Sequence, residues 1–406
     1  MTTPAEKYAA AKRRNSSQLT NQFAESFDFP FDDFQIEGCR EIEAGHGVLI
    51  AAPTGAGKTI VGEFAAYLAS EQGKKCFYTT PIKALSNQKY QEFVERFGEE
   101  RVGLLTGDNS INSNADIMVM TTEVLRNMLY TNSNTLLNLG FVVMDEVHYL
   151  ADKFRGAVWE EVLIHLMESV QVVSLSATVS NAEEFGEWLQ AVRGDTEVIV
   201  SENRPVPLYQ HVLIGNRLID LFNEDGTVNQ ALFKTEREAL RRMHIPKNRG
   251  RQHDENRLNR AEVIEKLQFN QMLPVITFIF SRQGCDSAVK QCLAANLRLT
   301  NTEEREEIRA TALKYTSTIN SEDLELLGHH EWLAALERGI AAHHAGLLPV
   351  FKSCVEELFQ RGLLKAIFAT ETLALGINMP ARTVLLEKLT KWNGEAHVPV
   401  TPGEYT

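Results

Sequence analysis

The chain has 406 residues, of which 44% are hydrophobic and 23% charged, and its formal net charge at pH 7 is −13. This length and composition predict two globular domains with ordinary apolar cores. The acidic balance argues against a protein that coats nucleic acid non-specifically, although a local groove can still hold a strand. Residues 1–20 lack the apolar core of a signal peptide, and no apolar run approaches membrane-spanning length, so we expect a cytoplasmic protein without a membrane partner.

The first residues, 1–22, are polar and predict a disordered tail. An aromatic and acidic stretch follows over residues 27–35 and leads into a predicted helix. A glutamine amide can read both edges of adenine and an aromatic ring can stack on its face, so Gln35 and Phe29 are candidate adenine contacts. A hydrophobic staple, in which the phenylalanines only pack the helix, is an equal alternative.

Residues 52–59 read Ala-Pro-Thr-Gly-Ala-Gly-Lys-Thr, the pattern of a phosphate-binding loop except that Ala52 replaces its usual first glycine. The apolar run 47–51 predicts a buried parallel strand before the loop, and an apolar helix face follows it as far as Gly73. In such loops main-chain N–H groups surround phosphate at a helix N-terminus, while the lysine and the hydroxyl serve the outer phosphates and Mg²⁺. The predicted contacts of a nucleoside triphosphate with Mg²⁺ are Pro53, Thr54, Gly55, Ala56, Gly57, Lys58 and Thr59.

Three further apolar runs end in small hydroxylic residues, which is typical of parallel strands that end at one edge of a sheet. A strand over 75–80 runs into a helix start with Pro81 and Lys83, which offers N–H groups and a cation to backbone phosphates. The other two runs end at Thr106-Gly107 and at Thr121-Thr122-Glu123. Repetition of this pattern favours a sheet edge that contacts a polyanion.

The apolar run 141–144 ends in two adjacent acids, Asp145 and Glu146. Because these acids follow a phosphate loop in the chain, Asp145 is a candidate Mg²⁺ ligand. Glu146 is expected near the same metal ion, where it can polarise the attacking water. The catalytic candidates are therefore Asp145, Glu146 and Lys58. His148 either hydrogen-bonds towards the next domain or caps a helix. The strand after these acids ends at Ser176 and Thr178, whose hydroxyls can relay the state of the γ-phosphate.

The second half of the chain repeats this architecture without a phosphate loop of its own. Residues 211–262 are its most basic stretch and predict a solvated linker or insertion, with nucleic-acid contact as the alternative. His343 and His344 point opposite ways on a strand, which argues against a joint metal site. The predicted strands are 274–280, one that contains both His343 and His344, and 364–369.

Together these motifs resemble the superfamily two helicases, and within them a bacterial-like member of the DExH-box RNA helicases of the superkiller type. The segments that carry the resemblance are 52–59, Asp-Glu-Val-His at 145–148, Ser-Ala-Thr at 176–178, 343–349 and 369–381. The resemblance implies an α/β fold with two tandem RecA-like domains, parallel sheets flanked by helices, over residues 23–210 and 263–406. It also implies ATP in the cleft and single-stranded RNA across both domains.

The resemblance assigns further roles residue by residue. Phe29 and Gln35 recognise adenine, and Gly376 and Asn378 lie near the nucleotide. The implied strand contacts are Pro81, Lys83, Thr106, Gly107, Thr121, Thr122 and Glu123 in the first domain and Arg282, Gly346 and Thr370 in the second. The implied activity is ATP hydrolysis coupled to translocation on RNA and unwinding, as a monomer that serves RNA processing or decay machinery. A DNA translocase in repair and a nucleotide-regulated RNA clamp are the alternatives.

The resemblance also has a departure at the end of the chain. The family's next motif, Gln-x-x-Gly-Arg-x-Gly-Arg, is expected directly after residues 403–406, so the second domain is expected to be incomplete. Arginines that stabilise transition-state charge are worth roughly 10³-fold or more in rate. We therefore expect an N-terminal portion of a longer helicase, whose hydrolysis and unwinding on its own are impaired.

Overall fold

The computed structural model describes residues 18–151, 156–177, 182–215, 217–243, 259–373, 379–392 and 396–400. The chain divides into two compact units, Met1–Pro207 and Leu208–Thr406. Each unit contains a mainly parallel sheet flanked by helices, which confirms the α/β fold with two RecA-like sheets. Within the described ranges, no helix is long and apolar enough to cross a membrane.

The first unit is built on an eight-stranded sheet with the order β4-β3-β5-β2-β6-β7-β1-β8. All neighbouring strands are parallel except the short β4, which pairs antiparallel with β3. Parallel strands need crossover connections. Helices supply them here except between β3 and β5, whose connection contains β4. The strands are β1 (Gly47–Ala51), β2 (Lys75–Thr80), β3 (Val102–Leu105), β4 (Ser110–Ile111), β5 (Ile117–Thr121), β6 (Leu139–Met144), β7 (Gln171–Ser176) and β8 (Thr196–Val200).

Helices cover both faces of this sheet. Alternate residues of β1 join different cores, with Val48 and Ile50 in one cluster and Leu49 in the other. Burial on both faces explains why the strands read as continuous apolar runs rather than as alternating patterns. The helices are α1 (Gln18–Glu25), α2 (Asp33–Ala44), α3 (Thr59–Glu71), α4 (Lys83–Phe97), α5 (Thr122–Tyr130), α6 (Gly156–His165) and α7 (Ala182–Arg193), with 3₁₀ turns at Asn134–Leu136 and Val147–Ala151.

Helix α1 begins at Gln18, inside the segment predicted as a tail, whose residues 1–17 lie outside the described part of the chain. The helix is held by two contacts that sequence periodicity does not reveal. Its Phe23 is buried in the core that contains α3, and the Glu43 carboxylate accepts hydrogen bonds from the main-chain N–H groups of Leu19 and Thr20. Tertiary packing therefore orders residues that are polar in sequence.

The second unit contains a four-stranded parallel sheet with the order β12-β13-β11-β14 and two separate antiparallel hairpins. Its strands are β9 (His211–Ile214), β10 (Arg217–Asp220), β11 (Val275–Phe278), β12 (Ile340–His343), β13 (Ala366–Ala369), β14 (Thr383–Leu386), β15 (Thr390–Trp392) and β16 (His397–Pro399). Its helices are α8 (Gln230–Met243), α9 (Arg260–Phe269), α10 (Arg282–Ala294), α11 (Thr302–Thr316), α12 (Ser321–Leu326), α13 (His329–Leu336) and α14 (Pro349–Gln360), with a 3₁₀ turn at Glu371–Leu373.

The segment predicted as a basic linker, 211–262, contains more structure than its composition indicates. It includes the β9–β10 hairpin, α8 and the start of α9, whereas residues 244–258 lie outside the described ranges. Asn259 caps α9 by accepting a hydrogen bond from the N–H of Ala261, and Ala261 is buried in the core of the second unit. Local capping and burial override the charged composition at this boundary.

Candidate nucleotide and nucleic-acid sites

The sheet order brings the phosphate loop and the acid pair to one edge of the first unit. The loop follows β1, Asp145 follows β6, and β7 lies between these two strands and ends at Ser176. The N–H of Ala52 donates to the carbonyl of Ser176 at 3.1 Å, which fixes the start of the loop to β7. The carboxyl ends of parallel strands are where open α/β sheets bind ligands.

The loop has the backbone expected of a phosphate cradle. Gly55 and Gly57 adopt φ values of +83° and +82°, which side-chain-bearing residues rarely tolerate, and Thr59 begins α3. The Lys58 ammonium donates to the carbonyls of Ala52 at 2.8 Å and Pro53 at 3.1 Å. Burial lowers the pKa of Lys58, while the charges of Glu146 and Asp145 oppose that effect. The lysine therefore lies within the electrostatic reach of both acids.

The acid pair is held in a strained and partly desolvated setting. Glu146 has φ +56°, a left-handed conformation that is uncommon for a residue with a side chain and is concentrated at functional sites. Its N–H donates to Asp145 Oδ1 at 2.9 Å. Burial raises the pKa of Asp145, and it raises that of Glu146 to about 7, with the Asp145 charge as the second cause.

His148 lies in the 3₁₀ turn after the acid pair, with its ring beside Glu146. Its Nδ1 atom lies 3.3 Å from Glu146 Oε2, and neither atom makes a hydrogen bond to any described residue. Burial lowers the pKa of His148 to about 4, with Lys58 adding to the effect, so the imidazole is neutral at physiological pH. A neutral ring beside the carboxylate can exchange a hydrogen bond with it or with a water molecule between them.

These residues fit the triphosphate and Mg²⁺ that the loop predicts. Glu146 Oε2 is a buried carboxylate oxygen without a hydrogen-bond partner among the described residues, which is the donor type that a hydrated divalent cation needs. A Cβ atom on Gly57 would lie 2.6 Å from Gln35 Nε2, so the loop is close-packed in a conformation that requires glycine. The described residues contain no cluster of three or more His, Cys, Asp or Glu side chains that could hold a metal ion without a phosphate co-ligand.

The two adenine candidates occupy different environments. The Gln35 side chain is 4% exposed; it accepts from the N–H of Asp32 at 2.8 Å and donates to the carbonyl of Gly57 at 3.1 Å. It therefore joins the start of α2 to the phosphate loop. Phe29 is 50% exposed and contacts the rings of Phe27 and Phe31 at centroid distances of 5.3 and 6.1 Å. The exposed part of its ring is suited to stacking on a base, while its contacts with Phe27 and Phe31 are those of a packing residue.

The residues of the first unit that are predicted to contact nucleic acid follow β2, β3 and β5. These β-strands end at the same edge of the sheet, in its other half. Thr106, Thr121 and Thr122 are buried, and Thr122 Oγ1 donates to the carbonyl of Thr80 at 3.3 Å. Pro81 is also buried, whereas Gly107 is exposed and Glu123 is half-buried in the first turn of α5. The Thr106 and Thr122 hydroxyls therefore already hydrogen-bond within the protein.

Lys83 has an acidic neighbour that the sequence did not identify. Its ammonium lies 2.8 Å from Asp108 Oδ1, which also accepts from Thr106 Oγ1 at 3.2 Å. These hydrogen bonds lower the pKa of Asp108, the one from Lys83 most strongly. Both charged side chains are exposed, and such surface pairs contribute little, so a phosphate can replace the carboxylate.

The second unit also gathers its candidate contacts at the carboxyl edge of its sheet. Arg282 begins α10, and a Cβ atom on Gly346 would lie 3.5 Å from Arg282 Cδ. The N–H of Thr370 donates to the carbonyl of His343 at 3.2 Å. His343 and His344 contact different acids, Glu356 at 2.7 Å and Asp286 at 3.0 Å. Thr178, Gly376 and Asn378 lie outside the described residues, so their predicted roles stay predictions.

Tyr78 is a further site residue that sequence reasoning missed. It lies in β2 and donates a hydrogen bond to Asp145. The sequence does show a tyrosine within a predicted buried strand, and a buried tyrosine hydroxyl needs a hydrogen-bond acceptor. Only the strand order shows that this acceptor is Asp145, since β2 and β6 are neighbours in the sheet.

Residues 32–185 match the DEAD/DEAH box helicase family. The chain is 57% identical over 401 residues to "Probable helicase HelY" of Mycobacterium tuberculosis, covering 95% of this chain and 44% of that protein. It is 40% identical over 419 residues to "DExH-box ATP-dependent RNA helicase DExH15 chloroplastic" of Arabidopsis thaliana, covering 93% and 35%. It is 38% identical over 405 residues to "Superkiller complex protein 2" of Homo sapiens, covering 96% and 32%.

The chain thus spans less than half the length of these relatives. The similarity nevertheless extends over nearly all of the chain and includes the phosphate loop and the acid pair. The chain therefore contains a DEAD/DEAH box helicase domain over residues 32–185, and it is similar over nearly all of its length to DExH helicases of the HelY and Ski2 type.

Proposed function

We propose that this chain is the motor core of an ATP-dependent RNA helicase, which couples ATP hydrolysis to movement along RNA and unwinding for processing or decay. The observation that carries the proposal is the arrangement of Lys58, Asp145 and Glu146 beside one phosphate loop. A cation for phosphate, a metal ligand and a base are the groups that phosphoryl transfer to water needs.

Each residue has a distinct role in this proposal. Thr59 and Asp145 hold Mg²⁺, which neutralises phosphate charge when bound. Lys58 binds the outer phosphates, and Glu146 orients the attacking water and accepts its proton. His148 and Ser176 lie next to these groups and couple the nucleotide state to the strand-binding surfaces, with Thr178 as a further predicted member.

The choice of RNA over DNA is supported by relatives. The Arabidopsis relative is named an RNA helicase, and the human relative is named a superkiller complex protein, the type whose resemblance implies RNA decay. The mycobacterial relative is named only a helicase, so a DNA translocase remains the second candidate. The strand contacts we propose are Pro81, Lys83, Thr106, Gly107, Thr121, Thr122, Glu123, Arg282, Gly346 and Thr370.

The test measures ATP hydrolysis and strand binding by the same chain, with single-stranded RNA and with DNA of the same sequence. We expect Mg²⁺-dependent ATP binding and tighter binding of RNA than of DNA, because a 2′-hydroxyl is what distinguishes the two strands. We also expect RNA to stimulate ATP hydrolysis. Glu146→Gln is expected to retain ATP binding and to lose hydrolysis by at least about 100-fold.

The alternatives give different results in that assay. Equal stimulation by DNA would favour the DNA translocase. ATP-dependent RNA binding without stimulated hydrolysis would favour a nucleotide-regulated clamp. A chain that does not bind ATP in the presence of Mg²⁺ would contradict the proposal altogether.

A further inference from the structure

Tyr78 places a fixed hydroxyl beside the acid pair. Its side chain is fully buried, and its phenolic oxygen lies 2.7 Å from Asp145 Oδ2. Strands β2 and β6 are neighbours, with Tyr78 opposite Val143, so the phenol extends along β6 towards the acid that follows its last residue. The register of the sheet therefore determines which carboxylate the hydroxyl meets.

Three residues from two helices immobilise the Tyr78 ring. Phe93 of α4 packs against it edge-on at a centroid distance of 5.1 Å, and the Lys89 ammonium lies 5.6 Å from its centroid. A Cβ atom on Gly62 of α3 would lie 2.9 Å from Tyr78 Cε2, so glycine at that position admits the ring. Because the ring cannot move without disturbing these neighbours, its hydroxyl is a donor with a fixed position.

The Asp145 carboxylate is consequently held at both oxygens. Oδ2 accepts from Tyr78, and Oδ1 accepts from the N–H of Glu146 at 2.9 Å. Each carboxylate oxygen has two lone pairs, so one on each oxygen remains for another partner. A phenol is uncharged and orients the carboxylate without cancelling its charge, whereas a lysine in its place would compete with a bound cation.

We propose that Tyr78 is a positioning residue whose hydroxyl holds the Asp145 carboxylate in the orientation that binds the Mg²⁺ of a metal–nucleotide complex. This inference rests on the proposed function, in which Asp145 is a metal ligand. It goes beyond that function by assigning the metal site a supporting residue from β2, the strand that leads into Pro81 and Lys83.

The experiment compares the whole chain with Tyr78→Phe, which removes the hydroxyl and keeps the ring between Gly62 and Phe93. A fluorescent ATP analogue is titrated first in EDTA and then at increasing Mg²⁺ concentrations. We expect Tyr78→Phe to raise the Mg²⁺ concentration for half-maximal binding about tenfold and to change metal-free binding by less than about twofold. Tyr90→Phe, the same deletion at another buried tyrosine of the first unit, is the matched control and should behave like the wild type.

The two binding measurements separate positioning from a general loss of structure. If Tyr78→Phe binds Mg²⁺ and nucleotide like the wild type, or weakens metal-free binding by the same factor, the inference is wrong. It is equally wrong if Tyr90→Phe produces the same change in Mg²⁺ dependence. If the wild type itself shows no Mg²⁺-dependent nucleotide binding, the proposed function fails and this inference fails with it.

Discussion

At the scale of single residues, the acid pair shows how a buried strand end modifies ordinary carboxyl chemistry. Burial raises the pKa of both Asp145 and Glu146, while a neutral His148 lies beside Glu146. A carboxylate with a raised pKa is a stronger base than one in water, which suits proton removal from a water molecule. The left-handed backbone of Glu146 adds strain at the same position, and the surrounding strands maintain it.

The raised pKa of Glu146 predicts a pH-dependent effect on stability. Its ordinary value is 4.5 and its value in the fold is about 7, so folding favours the protonated form. That stabilising contribution is complete below pH 4.5 and is lost as the pH rises through 7. We expect Glu146→Gln, which mimics the protonated form, to raise the free energy of unfolding at pH 8 by roughly 1–3 kcal/mol and to have little effect near pH 4.

Thermal or urea unfolding of both proteins at pH 4, 6 and 8 checks this prediction in the absence of nucleotide and Mg²⁺. Glu184→Gln, at an exposed acid of α7, is the control and should show no such trend. A stability difference that stays constant across this pH range would contradict the assignment of a raised pKa to Glu146.

At the scale of elements, the end of β2 lies between the acid pair and the residues that are predicted to contact nucleic acid. The N–H of Asp145 donates to the carbonyl of Thr79, and Thr122 Oγ1 donates to the carbonyl of Thr80. The Thr80 hydroxyl also bonds to the carbonyl of Ile82 at 3.0 Å and to Ser86 Oγ at 2.7 Å, at the start of α4. One strand end therefore supports the acid pair, the first turn of α5 and the helix that carries Lys83.

Removing the Thr80 hydroxyl should loosen the start of α4. Thr80→Val keeps the shape of the side chain and leaves the buried Ser86 hydroxyl without this partner, at a cost of about 1–3 kcal/mol in the free energy of unfolding. We expect the affinity for single-stranded RNA to fall about 3- to 10-fold because Lys83 is less well positioned, while nucleotide affinity is unchanged. Fluorescence anisotropy with labelled RNA, alongside unfolding, measures both effects.

The control for that variant is Thr131→Val, which changes an exposed hydroxyl at the end of α5. A loss of stability in Thr80→Val without any loss of RNA affinity would show that the hydroxyl serves packing alone.

At the scale of the whole molecule, the boundary between the two units is an exposed segment. The units meet in sequence at Pro207 and Leu208, and the side chains of Val206 and Tyr209 are each 77% exposed. Exposed chain between compact units is the preferred site of proteolytic cleavage. Brief chymotrypsin digestion should therefore cut first after Leu208 or Tyr209 and give two fragments of about half the mass each.

Mass spectrometry of the earliest fragments locates the cut. First cleavage between β1 and β8 would contradict the division into units, because every strand in that range belongs to one continuous sheet.

Much of this molecule was predictable from its sequence, for reasons that differ between elements. The strands that carry motifs are buried on both faces, so β1, β5 and β6 are recognisable in the sequence as mainly apolar runs. The two-residue strand β4 and the short strands of the β9–β10 hairpin contain no apolar run of comparable length. Helix α1 depends on Glu43 and on the core around Phe23, which are distant in sequence.

The site was predictable as a set of residues and less so as a set of contacts. Motif spacing identified Lys58, Asp145 and Glu146. It did not identify Asp108 next to Lys83 or Tyr78 next to Asp145, because these pairs depend on loop conformation and strand register. Spacing also did not indicate that the amide of Gln35 hydrogen-bonds to the phosphate loop itself.

The order of the sheet has a consequence for how such a protein can diversify. The strands that lead into the candidate nucleotide site, β6, β7 and β1, are neighbours in one half of the sheet. Those that lead into the candidate nucleic-acid contacts, β3, β5 and β2, are neighbours in the other half. Only the border between β2 and β6 belongs to both halves. Substitutions in the loops after β3, β5 and β2 can therefore alter one set of candidate contacts without changing the loops after β6, β7 and β1, so the two sets can vary independently during evolution.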